Sequence, residues 1–130
     1  ALYAWAADTG ALVWKACTEG IVYSEPLVAS DKVYLCSTDK HLYVLRVTDG
    51  SEESRFYAGS KLFSSPNLIG NRLYFGSTSG VVYEFDLLVQ TISGKHFFDD
   101  KITNDIICDA ERNRFYVSTI SGAVIACERA

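Results

Sequence analysis

The 130-residue chain carries 12 basic against 16 acidic residues, for a net charge of −4, and is 48% hydrophobic and 13% aromatic with only two prolines. This composition supports a packed core and excludes a disordered polymer, while the mild, unclustered acidity speaks against nucleic-acid and anionic-membrane partners. No apolar run reaches the roughly eighteen residues of a spanning helix, so membrane insertion is not expected, and with Ala in place of an initial Met the expectation is a processed or excised piece of something longer.

In chain order, residues 2–7 and 12–17 read as two strands around the turn "ADTG". Residues 21–29 ("IVYSEPLVA"), 32–37, 41–47 and 53–58 follow as four more. Each is rich in Val, Leu, Tyr or Phe and bounded by turn chemistry: "SD" at 30–31, "TDK" at 38–40, "TDG" at 48–50 and "GS" at 59–60. The group then recurs. "VYSEPLV" (22–28) aligns with "LFSSPNL" (62–68) at an offset of 40, and "KLFSSPNLI" (61–69) with "KITNDIICD" (101–109) at the same offset. Leu2-Tyr3, Leu42-Tyr43 and Val82-Tyr83 share that spacing. The last hairpin, "RFYVSTISGAVIAC" (114–127), trails "RLYFGSTSGVVYEF" (72–85) by 42. The two extra residues fall where "GN" at 70–71 becomes "AERN" at 110–113, a turn in which insertion is tolerated.

No segment has helical periodicity, so the chain is all-β. A four-stranded antiparallel unit of about 40 residues cannot bury both of its faces alone, and radial stacking hides them, as in a propeller. β-solenoid repeats are usually shorter, about 20 to 30 residues. The expected organisation is a partial blade over 1–20, whole blades over 21–60 and 61–100, and a partial blade over 101–130. About three units are fewer than the roughly four to eight of a closed ring. Either the rest of the ring lies outside these residues, or copies of the chain complete a ring together as a homo-oligomer.

The repeat places its marks at Tyr3, Gly10, Trp14, Pro26, Tyr34, Tyr43, Gly50, Pro66, Tyr74, Gly80, Tyr83, Tyr116 and Gly122. The four glycines follow turn residues and call for a positive φ. Lys40 stands in the same slot, implying a left-handed residue or another turn type. Pro26 and Pro66 fall inside the expected strand, which requires a bulge or unpaired edge, and the third copy has Ile106 there.

These residues resemble the pyrroloquinoline-quinone-type propeller repeat. Leu2, Tyr3, Ala4, Thr9, Gly10 and Trp14 match its opening, Val22, Ser24 and Pro26 its middle, and Val33, Tyr34, Ser37, Asp39, Leu42, Tyr43 and Leu45 its close. Ser64, Ser65, Pro66, Leu73, Tyr74, Gly76, Ser77, Gly80 and Tyr83 repeat the match. The resemblance implies a propeller whose Trp docks on the neighbouring blade. The chain departs from the strongly repeated form: the Asp after the Leu-Tyr pair is Ala6 and then Arg46, returning as Asp86, and the Trp slot of the second copy is Ser54. The blades therefore look more like non-enzymatic relatives, such as the outer-membrane assembly lipoprotein or the propeller tails of some adenylate-forming enzymes.

Quinone chemistry would need aromatic rings around a planar cofactor, oxygen ligands for Ca²⁺ and an Asp base. Trp5 and Trp14 read as structural aromatics, and no two cysteines are adjacent. No cofactor, metal ligand or catalytic residue is expected. His41 and His96 lack a Cys or carboxylate at ligand spacing and read as exposed. Asp99, Asp100 and Asp105 around Lys101 read as a solvated connection between blades, and the "SSP" and "GST" hydroxyls as partners for turn amides. Cys17, Cys36, Cys108 and Cys127 lie in apolar strand runs and read as buried, reduced thiols, which leans toward a reducing compartment; a Cys17–Cys36 disulfide is the alternative if the protein is secreted.

The functional expectation is a non-catalytic interaction scaffold, docking a protein partner or other domains of its parent chain through the loops at 60–63, 99–103 and 110–113. The competing readings are a fragment of a quinone-dependent dehydrogenase and an accessory propeller of an adenylate-forming enzyme.

Overall fold

The computed structural model describes residues 1–129, and among these there is no helix. Strands β1 (Leu2–Trp5) and β2 (Leu12–Ala16) form a two-stranded antiparallel sheet. Strands β3 (Leu27–Ala29), β4 (Lys32–Cys36), β5 (His41–Arg46) and β6 (Glu52–Tyr57) make a four-stranded sheet in chain order. A second such sheet runs through β7 (Asn67–Ile69), β8 (Arg72–Gly76), β9 (Val81–Asp86) and β10 (Thr91–Phe97). Strands β11 (Ile107–Asp109), β12 (Arg114–Ser118) and β13 (Val124–Glu128) close the series with three strands. Every pairing is antiparallel between chain neighbours, as short hairpin connections require.

The first strand of each blade is shorter than its apolar run. In "IVYSEPLVA" only Leu27–Ala29 pairs as strand; residues 21–26 form a rim segment instead. Pro26 and Pro66 therefore sit directly before β3 and β7, not within them. Neither a bulge nor an edge is needed, since the missing N–H precedes the ladder. The turns carry φ of +71° at Gly10, +73° at Gly50, +84° at Gly80 and +100° at Gly122, and Lys40 adopts a left-handed φ of +77° in the equivalent slot.

Three apolar layers lie between the four sheets. Trp14 meets Val33, Leu35, Tyr43 and Leu45 between the first two sheets. Tyr34, Leu42, Val44, Leu73, Phe75 and Phe85 fill the middle layer, with Tyr74, Val82, Ile102, Ile106, Phe115 and Val117 in the last. Strand alternation explains the division: Val33, Leu35 and Tyr43 face one neighbouring blade, while Tyr34, Cys36, Leu42 and Val44 face the other. The middle strands β4 and β5 are consequently buried on both faces, and the outermost β6 and β10 alternate or lie exposed.

Candidate interaction surface

Trp14 is the clearest docking element. Its Nε1 donates to the Val47 carbonyl at 2.9 Å, and a Cβ on Gly50 would collide with Cε3 and Cδ2 of its ring. The turn of one blade is thus shaped to take the indole of the preceding one. Trp5 lies on the opposite face of the first sheet, exposed and stacked on Tyr3 with ring centroids 6.3 Å apart. Neither indole is available to sandwich a planar quinone: Trp14 is consumed by the blade interface and Trp5 faces away from it. The residues present do not fit that cofactor. Among the described residues, no group of three His, Cys, Asp or Glu is placed to hold a metal ion.

The tyrosines of the repeat tie blades together. Tyr34 accepts a hydrogen bond from Gln90 Nε2 at 2.8 Å, across one interface. Tyr74 accepts from Arg129 Nε at 2.8 Å across the next, while donating to Glu84 Oε1 at 2.6 Å. Burial, and then the bond to Glu84, push the Tyr74 phenol up to about 12. Tyr116, the third member of the set, lies on the outward face of the last sheet beside the exposed Ile107 and Val124. Tyr83 donates to the Ala58 carbonyl at 2.8 Å. Tyr43 donates to Asp39, which also accepts the amides of Glu19 and His41 at 3.0 and 3.1 Å.

The histidines are partnered, contrary to their reading as exposed surface. His41 Nδ1 lies 3.2 Å from Asp39 Oδ1 and His96 Nε2 lies 3.1 Å from Glu84 Oε2. In each case the β-turn or cross-strand geometry brings together residues too far apart, or in the wrong pattern, for a ligand motif. The acidic connection is also more than solvated. Asp100 takes the amides of Lys101 at 2.8 Å and Ser121 at 2.9 Å through its two oxygens, and these bonds, the Ser121 ones foremost, hold its carboxyl below the usual range. Asp105 Oδ1 takes the Ser65 amide at 2.7 Å.

All four thiols are free, but only Cys36 is wholly buried. Cys17 follows the outermost strand β2 and is exposed, and Cys108 and Cys127 are half-buried. Burial lifts the Cys108 thiol to about 11 and raises that of Cys127. Cys108 and Cys127 both oppose Phe115, one on each side. Two strand spacings, about 9 to 10 Å, separate them, beyond disulfide reach.

The rim segments before β3, β7 and β11 form a continuous surface bound across blades. Ser65 Oγ accepts the Glu25 amide at 2.7 Å, and Ser64 Oγ donates to the Asn104 carbonyl at 2.8 Å. Ser24 donates to the carbonyl of Cys36 within its own blade, and the single Ser64 proton is shared between the Asn104 carbonyl and, at 3.2 Å, that of Gly76. Along this rim Tyr23 packs on Phe63 with centroids 5.3 Å apart, and a groove of about 430 Å³ continues past them to Thr103, Asn104 and Asp105. The repeat motif did not single these residues out. Their signal was present all the same: Tyr23, Phe63 and Thr103 stand at the same 40-residue offset as the rest of the repeat.

Comparison with known proteins agrees with this architecture. BamB from Moraxella catarrhalis superposes with a TM-score of 0.84 at 16% identity, over 97% of this chain and 39% of that one. The C-terminal WD40 domain of Sif2 gives 0.76 at 16% identity over 92% and 35%. The quinohemoprotein alcohol dehydrogenase from Comamonas testosteroni gives 0.77 at 18% over 90% and 26%. At such identities the likeness is one of fold. A curated relative, the beta-alanine-activating enzyme of Danio rerio, is 32% identical over 96 residues, covering 68% of this chain and 8% of its own length. With residues 1–130 matched by the family model described as outer membrane protein assembly factor BamB, the chain belongs to the PQQ-like β-propeller repeat family.

Proposed function

We propose that this chain is a non-catalytic propeller segment that serves as a scaffold for protein–protein or domain–domain interaction. The observation that carries the reading is the use made of the polar side chains. Asp39, Glu84, Asp100, Asp105 and the buried serines are all engaged in tying turns and blades together, which leaves a rigid body whose free features are its loops. The segments at 60–63, 99–103 and 110–113 stand at the rims, and Lys61 and Lys101 are exposed on them. Fold alone assigns no chemistry, so the likeness to a quinohemoprotein dehydrogenase does not transfer its activity.

A second reading is favoured by the match to the beta-alanine-activating enzyme. In it, the propeller is an accessory domain of an adenylate-forming enzyme, and its docking partner is the remainder of the same polypeptide. Both readings are tested by lysine cross-linking and mass spectrometry on the polypeptide that contains this segment. Links from Lys61 and Lys101 to residues outside the propeller are expected, and alanine replacement of the exposed loop residues Lys61, Asp99, Lys101, Glu111 and Arg112 should weaken the association. Links confined to the blades, with every partner association intact in the loop variants, would remove the basis for the scaffold.

A further inference from the structure

The groove along the rim has a built shape. At one position of the repeat the residues run Tyr23, Phe63, Thr103: two aromatics in contact, then a small side chain. The row of rings stops where the third should stand, and the space left is the groove lined by Tyr23, Phe63, Thr103, Asn104 and Asp105. Its walls are held in place by bonds that cross from blade to blade. Asp105 Oδ1 takes the Ser65 amide, and Ser64 Oγ takes hold of the Asn104 carbonyl. Pre-organisation of this kind lowers the ordering that binding demands.

The surface chemistry selects the occupant. Tyr23 is 64% exposed and packs on Phe63, so the pair presents open ring surface along the groove. Asp105 is exposed and makes no ion pair among the described residues, as is true of Glu25 at the equivalent position two blades away. The chain as a whole carries a net charge of −4. An apolar slot beside an unpaired carboxylate is complementary to an aromatic side chain next to a cation.

Resting on the scaffold reading, we infer that this groove binds an extended segment of a partner protein that presents an aromatic residue followed by Arg or Lys. The aromatic ring continues the stack on Phe63 over Thr103, and the cation faces Asp105.

The test is a titration of the isotope-labelled protein with acetyl-Gly-Tyr-Arg-Gly-amide, followed by amide chemical shifts, with acetyl-Gly-Tyr-Glu-Gly-amide as the charge-reversed control. Saturable shifts at Phe63, Thr103, Asn104 and Asp105 are expected for the Arg peptide, with the Glu peptide bound more weakly by about two- to fivefold, the scale of one exposed ion pair. Asp105→Asn should weaken the Arg peptide by a similar factor. Thr103→Phe supplies the missing ring from within and should abolish binding; because residue 103 is only half-buried, the fold should survive, as checked by the unchanged amide pattern elsewhere. Absence of saturable shifts, equal binding of both peptides, or wild-type binding by Thr103→Phe would each overturn the proposal. The cross-linking experiment reads the rim loops independently: a groove that fails here with Lys61 and Lys101 still linked to partner residues leaves the scaffold standing and removes only this site.

Discussion

Gly50 and Trp14 show how a single position decides blade packing. The glycine turns with φ +73°, and its missing Cβ is the floor on which the indole lies. Gly50→Ala suffers both a disfavoured backbone and a clash, so unfolding in urea should show a loss of about 2 to 4 kcal/mol. Trp14→Phe keeps the apolar body but loses the bond to the Val47 carbonyl; the loss should be about 1 to 2 kcal/mol, below that of Trp14→Ala at about 3 to 5. Equal losses for the two variants would mean that the indole N–H, which both remove, and not its area, holds the interface. Glu84 makes the same point about local accommodation. It occupies the slot that is Val44 one blade earlier, and β10 makes room for it with Gly94, where a Cβ would meet the Glu84 carboxylate. No motif marks that pair, because the two residues meet only through the irregular register of β9 and β10 between Ile92 and Gly94.

The turn between β4 and β5, which holds Asp39, is where pH should be felt. Burial alone would raise the Asp39 carboxyl, but the bonds from Tyr43, the Glu19 amide and His41 outweigh it and hold the carboxyl below its ordinary 3.8. A carboxylate lowered in the folded state contributes stability that is present above its unfolded value and lost as pH falls through the folded one. Asp39→Asn should therefore be less stable than the parent at neutral pH and flatter below about pH 4 in chemical denaturation. Tyr43 has the opposite sign. Burial and the bond to Asp39 raise its phenol to about 12, so its contribution is present below its ordinary 10.0 and is lost between there and about 12. Tyr43→Phe should remove that part of the alkaline limb; a limb unchanged by the substitution would place the titration elsewhere.

Across the whole molecule, the two end sheets each leave one face uncovered. Tyr3, Trp5 and Val13 line one, and Ile107 and Val124 the other, with Tyr116 between them lacking the cross-blade donor that Gln90 and Arg129 provide for Tyr34 and Tyr74. Faces that are buried wherever a neighbouring blade exists should associate when it does not. Light scattering on a sizing column is expected to give a mass above the 14.4 kDa of one chain, rising with concentration, and Trp5→Lys combined with Val124→Lys should return it to that of one chain. Single-chain mass at all concentrations for the unsubstituted residues 1–130 would mean that these faces tolerate water.

The all-β class, the 40-residue unit and the strand hairpins were legible in the residues, because alternation and turn chemistry act over a few neighbours and the repeat shows them more than once. The need for positive φ at the glycine turns follows from the same turn chemistry, whereas the docking of Trp14 was implied only by the resemblance to the family repeat. Strand ends were less so: "IVYSEPLVA" has strand composition throughout, yet in its first six residues Glu25 bonds across to Ser65 while Ile21 and Ser24 bond to Thr38 and Cys36 at the end of β4, and composition cannot tell such bonds from a ladder. The partners of His41 and His96 depended on turn and strand register inside one blade, which set Asp39 two residues and Glu84 twelve residues away. The groove at Thr103 depended on which faces of separate blades meet: its cross-blade bonds, Ser64 to Asn104 and Ser65 to Asp105, join residues 40 apart with no local pattern, and only the stacking of blades brings them together.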